Sequence, residues 1–101
     1  MTLGGGVCPP VDPLPIEVSS PDNVDKATIV GELRIEPSAG DPITLPFGPF
    51  ATDLRVGNPW TGTIALPRGR FATPAVIKLR IIVHSSTGRE LARLPLECDL
   101  P

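Results

Sequence analysis

Proline restricts what this chain can fold into more than any other residue type. The sequence contains 14 prolines and 10 glycines among 101 residues. A proline inside a helix removes a backbone hydrogen bond and clashes with the preceding turn, and helical spacing of apolar residues is not sustained along this chain. Apolar residues instead recur at every second position between the prolines, which is the period of a β-strand. The prolines therefore predict the boundaries of short strands.

About seven short, mainly antiparallel strands are predicted, which indicates an all-β chain with one small β-sandwich. The outline is immunoglobulin-like or fibronectin-like only, because Cys8 and Cys98 are too widely spaced for the Cys…Trp…Cys pattern of true immunoglobulin domains. We assign residues 1–15 to an extended Pro/Gly-rich N-terminal arm and residues 16–101 to the sandwich domain. The predicted strands cover 16–18, 26–36, 43–47, 53–56, 62–66, 75–84 and a last segment that ends at Leu100.

The last third of the chain predicts a β-hairpin in a definite register. A loop of Ser86, Thr87 and Gly88, with Gly88 at positive φ, would connect its strands. A bulge near Ala92–Arg93 would reconcile Leu91 with the even-numbered apolar residues that follow it. The resulting pairs are Val83 with Leu91, His84 with Glu90, Ile81 with Leu94, Leu79 with Leu96, and Lys78 with Glu97.

Charge is distributed unevenly along the chain. Residues 1–53 contain eight acidic and two basic residues, a net charge of −6, and residues 54–101 contain three acidic and seven basic residues, a net charge of +4. We interpret this as early acidic strands that pair with later basic strands. The basic residues are scattered and no aromatic–basic motif accompanies them, so we do not expect nucleic acid binding. No signal peptide and no apolar run long enough for a membrane span is recognisable, and we expect no membrane insertion.

The two cysteines, Cys8 and Cys98, lie near opposite ends of the chain. Cys98 falls on the predicted inward face of the last strand, and terminal strands of a sandwich often lie close together. A Cys8–Cys98 disulfide is therefore possible in an oxidising compartment, such as a virion or the cell exterior, and two free thiols are expected in a reducing cytoplasm. A third alternative is a bond from Cys8 to a neighbouring subunit.

His84 is the only histidine, and it is the best candidate for chemistry that the sequence offers. A single histidine without cysteines or acids at ligand spacing does not predict a metal site. Ser85 and Ser86 follow it directly, but neighbours at the end of a strand do not by themselves form a nucleophile–base pair. We interpret His84 as a surface residue beside Glu90, and we expect no enzyme activity, no metal and no cofactor.

Candidate interface residues lie in the arm and in two turns. In the arm, Val7, Val11 and Leu14 stand on an extended backbone that suits docking on a sheet edge of this chain or of a neighbour. In the turn PRGR, Arg68 and Arg70 precede Phe71, and arginine beside an aromatic ring is common at interfaces. Trp60 lies among turn-forming residues in GNPWTG, and we favour packing on the core over display to a partner.

These features favour a non-enzymatic structural subunit that acts through protein–protein contacts, for example in a virion or surface assembly. Self-association fits the extended arm and the outward apolar residues Val30, Val76 and Ile82. The alternative is a soluble accessory or ligand-binding domain that uses turn-tip residues, and a small enzyme built on His84 is a weaker third hypothesis.

Overall fold

All regular secondary structure is β-strand in the part of the chain that the computed structural model describes, residues 1–5, 13–67 and 69–101. This confirms the predicted all-β class. The strands are β1 (Thr2–Gly5), β2 (Leu14–Ser19), β3 (Val24–Pro37), β4 (Ile43–Leu54), β5 (Trp60–Ile64), β6 (Ala75–His84) and β7 (Glu90–Leu100).

The strands form two antiparallel sheets in a sandwich-like arrangement. One sheet has the order β1-β2-β5, and the other has the order β4-β3-β6-β7. Every second residue of β2 and β6 is buried, as expected for a strand with one face on a core. The buried residues of both sheets belong to one apolar cluster. At the open sides, the edge strands of the two sheets are neighbours, β4 beside β5 and β1 beside β7.

Strand β3 is central to the four-stranded sheet, and it pairs with β4 on one side and β6 on the other. Gly31 occupies an inward position in this strand. A β-carbon there would lie 2.6 Å from the carbonyl oxygen of Arg80 and 2.7 Å from Cδ1 of Ile81. The missing side chain thus makes room for the fully buried Ile81.

Strand β4 corrects the prediction of separate strands at 43–47 and 53–56, because it runs unbroken from Ile43 to Leu54. The ladder with β3 shifts register where Gly48 and Pro49 follow Phe47, and Gly48 has φ 82°. Only glycine adopts this conformation readily. One extra residue exchanges the two faces of a strand, which explains why both Phe47 and Leu54 are buried. Strand β4 is an edge strand, which is a position where prolines such as Pro46 are tolerated.

The C-terminal hairpin has most of the predicted register. Four of the five predicted pairs are confirmed, but Val83 is paired with Ala92 and not with Leu91. The bulge therefore lies at Leu91, which is 37% exposed, because the extra residue of a bulge stands outside the ladder. Gly88 has the predicted positive φ, 84°. The N–H of Ser85 donates to the carbonyl of Arg89 at 2.8 Å, which closes the three-residue loop. The confirmed pairs are His84 with Glu90, Ile81 with Leu94, Leu79 with Leu96, and Lys78 with Glu97.

The N-terminal arm includes residues in regular structure. Thr2–Gly5 form β1, an edge strand that pairs with β2 of the same chain, and Leu14 and Pro15 begin β2. The first predicted strand, 16–18, thus extends to 14–19 and has an outer neighbour. Residues 6–12 of the predicted arm lie outside the described residues, and the boundary between arm and domain stays a prediction.

Candidate interaction surface

Three of the four aromatic side chains meet where the two sheets open between β4 and β5. Trp60 is the first residue of β5 and is paired with the buried Val18 of β2. Its ring centroid lies 6.1 Å from that of Phe47 and 5.4 Å from that of Phe50, and the two phenyl rings are 5.0 Å apart. These separations are typical of stabilising aromatic pairs. We call Phe47, Phe50 and Trp60 the aromatic cluster.

Gly62 fixes the position of the indole. A β-carbon on Gly62 would lie 2.6 Å from Cη2 of Trp60, so the ring lies directly across this glycine. Trp60 is half-buried and packs against the apolar core. The indole thus closes the open side of the sandwich, and it does not project from a turn.

The aromatic cluster also has an exposed side. Phe50 faces inward on β4 opposite Ile29 but stands at the sheet edge, where 40% of it remains exposed. Val56, in the turn that leads from β4 to β5, is 59% exposed. These are two of the three large apolar residues that are exposed in the described part of the chain, and the third is Leu91 of β7.

Polar contacts brace the turn that presents Val56. The N–H of Val56 donates to Oδ1 of Asn23 at 3.0 Å, and Nη2 of Arg55 is 2.6 Å from Oδ1 of Asp25. Within the turn, the N–H of Asn58 donates to the carbonyl of Arg55 at 3.2 Å. The turn is therefore held against Asn23, just before β3, and against Asp25 at the start of β3, and Val56 has a defined place on the surface.

The nearby start of β3 contains a non-glycine residue in the left-handed region. Lys26 has φ 54°, and its N–H donates to Oδ1 of Asp53 at 2.8 Å. The β3–β4 ladder shifts register between Val24 and Ala27, on either side of this residue. Left-handed backbone is unusual for a lysine, and the bond to Asp53 stabilises it here.

The predicted interface residues do not come together in one surface. Leu14 is 1% exposed and belongs to the core of its own chain, because its alternation with Ile16 and Val18 continues strand β2. It therefore packs on its own domain, which is one of the two alternatives that the sequence left open for the arm. Phe71 is half-buried and packs against the core, whereas Arg70 is exposed. Val7, Val11, Arg68 and Cys8 lie outside the described residues, and their roles stay predictions.

Cys98 is 4% exposed on the inward face of β7, as its position in the sequence predicted. It is a disulfide cysteine in this structure. The other cysteine of the proposed bond, Cys8, lies outside the described residues, so the Cys8–Cys98 bridge stays a prediction.

The outer face of the four-stranded sheet is lined with opposite charges. Oε1 of Glu36 lies 3.0 Å from Nε of Arg34, and Oε2 of Glu36 lies 3.3 Å from Nζ of Lys78. Hydrogen bonds from Arg34 and then Lys78 lower the pKa of the Glu36 carboxyl. Bonds such as Glu36–Lys78 fit the expected pairing of early acidic with later basic strands. Of the outward apolar residues, Val30 and Ile82 are directly paired and both are half-buried.

His84 lies on that outer face, paired with Glu90 of β7 as the sequence predicted. The carboxylate of Glu90 is nevertheless held by Arg93, whose Nη2 is 2.7 Å from Oε1. This hydrogen bond is the main cause of the lowered pKa of Glu90, and the charges of Arg93 and His84 lower it further. The neighbouring Ser85 hydroxyl is engaged with Thr87 at 2.9 Å, so its contact is with the loop and not with the imidazole.

Phe50, Val56 and Leu91 are the surface residues that sequence reasoning did not single out. Strand alternation assigns faces only within an unbroken ladder. Phe50 follows the bulge of β4, and Leu91 forms the bulge of β7. The Gly48–Pro49 pair was the sequence signal for Phe50, because such a pair occurs in β-bulges as well as in turns.

Comparison of the chain with family models, with curated proteins and with solved structures found no match. Among the described residues, no helix is long and apolar enough to cross a membrane. Within the same part of the chain, no group of three or more His, Cys, Asp or Glu side chains could hold a metal ion.

Proposed function

We propose that this protein is a non-enzymatic structural subunit that acts through protein–protein contacts in a larger assembly, such as a virion or a surface structure. Its partner is another protein, foremost a second copy of this chain. The proposal includes neither nucleic acid binding nor membrane insertion.

The proposal includes an immunoglobulin- or fibronectin-like outline. Support comes from the strand order, in which a three-stranded sheet β1-β2-β5 is combined with a four-stranded sheet β4-β3-β6-β7. The chain changes sheet between β2 and β3, again between β4 and β5, and again between β5 and β6. Seven antiparallel strands connected across two sheets in this manner are typical of that architecture.

The observation that carries the proposal is the exposed apolar surface beside the aromatic cluster. Phe50 and Val56 are 40% and 59% exposed on the side where β4 and β5 meet. Single exposed apolar side chains are common, but here an aromatic ring at the edge is followed by a turn that polar contacts hold in place. A surface of this kind suits a protein partner.

The edge of β4 indicates how such a partner would bind. Pro46 and Pro49 lie in this strand, and proline cannot donate to a β-ladder. Addition of a partner strand to this edge is therefore disfavoured. The contact would use side chains, with Phe50 and Val56 as its apolar anchors.

Native mass measurement over a range of protein concentrations tests the proposal. We expect a discrete oligomer, and Phe50→Ser and Val56→Ser should each weaken association roughly tenfold or more, since burial of such a side chain is worth about 1.5–3 kcal/mol. Leu91→Ser is the matched control because Leu91 is similarly exposed but lies on β7. A protein that remains monomeric at high concentration would contradict assembly and favour the accessory-domain alternative.

A further inference from the structure

Strand β1 is attached to the fold by few side chains. It consists of Thr2, Leu3, Gly4 and Gly5, and two of these four residues have no side chain to pack. A β-carbon on Gly4 would meet only Cβ of Glu17, at 4.0 Å. The apolar anchors of this segment are Met1 and Leu3, both half-buried against the core. Elements with few buried contacts open at low free-energy cost.

Strand β2, which pairs with β1, in contrast contributes fully buried side chains to the core. Leu14, Ile16 and Val18 of β2 are each no more than 1% exposed. Without β1, the outer edge of β2 would present unpaired backbone N–H and C=O groups next to this apolar row. Pairing of the outer β2 edge with another strand is therefore favourable, and only a few side chains attach β1 there.

The sequence that connects the two strands is rich in proline. Because β1 and β2 are antiparallel, the chain reverses direction between Gly5 and Leu14. The intervening sequence contains Pro9, Pro10 and Pro13, and proline-rich sequence favours an extended, stiff backbone. A short connection whose sequence resists reversal favours exchange of the connected element between copies of a protein.

We propose that β1 is exchanged between two copies of this chain, so that β1 of each copy pairs with β2 of the other. This inference rests on the proposed assembly function and identifies one partner surface, the outer edge of β2. The exchanged pair has the register of the structure, with Leu3 opposite Val18 and Gly5 opposite Ile16. An exchanged element makes the contacts that it makes within one chain, so protein concentration and the stiffness of the connection decide between monomer and dimer.

Strand exchange also determines which chain supplies the bonding partner of Cys98, the disulfide cysteine on β7. If Cys98 is bonded to Cys8, which follows β1 closely in the sequence, the exchanged dimer contains two Cys8–Cys98 bonds between chains. The third alternative for Cys8, a bond to a neighbouring subunit, is then a consequence of strand exchange.

Mixed isotope labelling tests the exchange directly. Labelled and unlabelled full-length chains are unfolded together and refolded at high concentration, and the dimer is examined for nuclear Overhauser effects between Leu3 of one chain and Val18 of the other. We expect these intermolecular contacts in the dimer. Mass analysis of non-reduced peptides provides a second measurement, because exchange yields Cys8–Cys98 peptides that combine a labelled with an unlabelled half.

Variants of the connection test why exchange is favoured. Replacing Pro9 and Pro10 by Ala should lower the dimer fraction several-fold, since a more flexible connection reverses more easily. Pro42→Ala is the matched control, because Pro42 is exposed and lies between β3 and β4. Equal dimer fractions in these variants would overturn the role given to the prolines.

The outcomes separate this inference from the proposed function. A discrete oligomer in which Leu3–Val18 contacts arise only within one chain would overturn strand exchange and leave assembly through another surface intact. A chain that stays monomeric at every concentration would overturn both.

Discussion

At the scale of single residues, glycines determine where bulky side chains lie. Gly31 admits Ile81, Gly48 permits the bulge of β4, and Gly62 admits the indole of Trp60. The last of these is the most accessible to experiment, because Trp60 is the only tryptophan. Its fluorescence therefore reports on the aromatic cluster alone.

We predict that Gly62→Ala displaces the indole and destabilises the fold. The added methyl group would lie 2.6 Å from the indole ring. The ring cannot easily move away, because Phe47 and Phe50 of β4 pack against it. Overpacking of this kind typically costs about 1–3 kcal/mol. Thermal unfolding and the emission maximum of Trp60 provide the two measurements.

Gly4→Ala is the control for that substitution, because its β-carbon would have only an ordinary contact at 4.0 Å. It should melt close to the unmodified protein. If Gly62→Ala also melts there with unchanged emission, the indole does not lie across Gly62.

At the scale of elements, the β6–β7 hairpin is expected to carry much of the stability. Leu79 is 2% exposed and lies in the middle of the sheet, paired with Leu33 on one side and Leu96 on the other. Leu79→Ala should lower the free energy of unfolding by about 2–5 kcal/mol, through lost burial and a residual cavity. Denaturant titration measures this loss.

Leu91→Ala makes the same chemical change at a bulge residue that is 37% exposed. Its cost should be within about 1 kcal/mol, as for most surface substitutions. Similar losses at Leu79 and Leu91 would mean that the inward and outward faces of the hairpin are misassigned.

Strands with an uninterrupted apolar alternation could be predicted from the sequence, and strands defined by a neighbour could not. The alternation in β3 and β6 gave their faces, and complementary pairs such as Lys78 with Glu97 gave the hairpin register. In β4, Gly48 and Pro49 directly follow the predicted end of a strand at residue 47, but in the structure they form a bulge within one strand. Strand β1 has no alternating apolar signal in the sequence. Its place in the sheet depends on backbone pairing with the edge of β2.

The candidate surface was predictable only in part for the same physical reason. Trp60 was recognisable as an unusual residue, and packing on the core was the favoured reading. The exposure of Phe50 depends on its place at a sheet edge after a bulge. That of Val56 depends on contacts that hold its turn, from Val56 to Asn23 and from Arg55 to Asp25. Such tertiary contacts leave no local pattern in the sequence.

At the scale of the whole molecule, charge pairs on the four-stranded sheet, both within and between its strands, make stability depend on pH. The folded-state pKa values of Glu36 and Glu90 are lowered by their basic neighbours. A carboxyl with a lowered folded-state pKa stabilises the fold above its unfolded pKa, and this contribution is lost as the pH falls through the folded pKa. We therefore predict a modest decrease in the denaturant midpoint below about pH 4.5.

The double variant Glu36→Gln, Glu90→Gln should show a shallower decrease over that acidic range. High salt should reduce the difference between the variant and the unmodified protein, because exposed ion pairs are screened. Identical pH profiles at low salt would show that these two carboxylates do not contribute.

The order in which the ribosome delivers the strands follows from the topology of the smaller sheet. Strand β2 is synthesised early, but one of its two neighbours, β5, begins only at Trp60. A two-stranded β1–β2 hairpin is at best marginally stable in water, and the apolar face of β2 is covered only by the facing sheet, which includes β6 and β7. Pairing between segments distant in sequence is slow. We therefore expect the nascent chain to expose Leu14, Ile16 and Val18 until β5, β6 and β7 have left the ribosome, which makes this stretch a natural binding site for chaperones during synthesis.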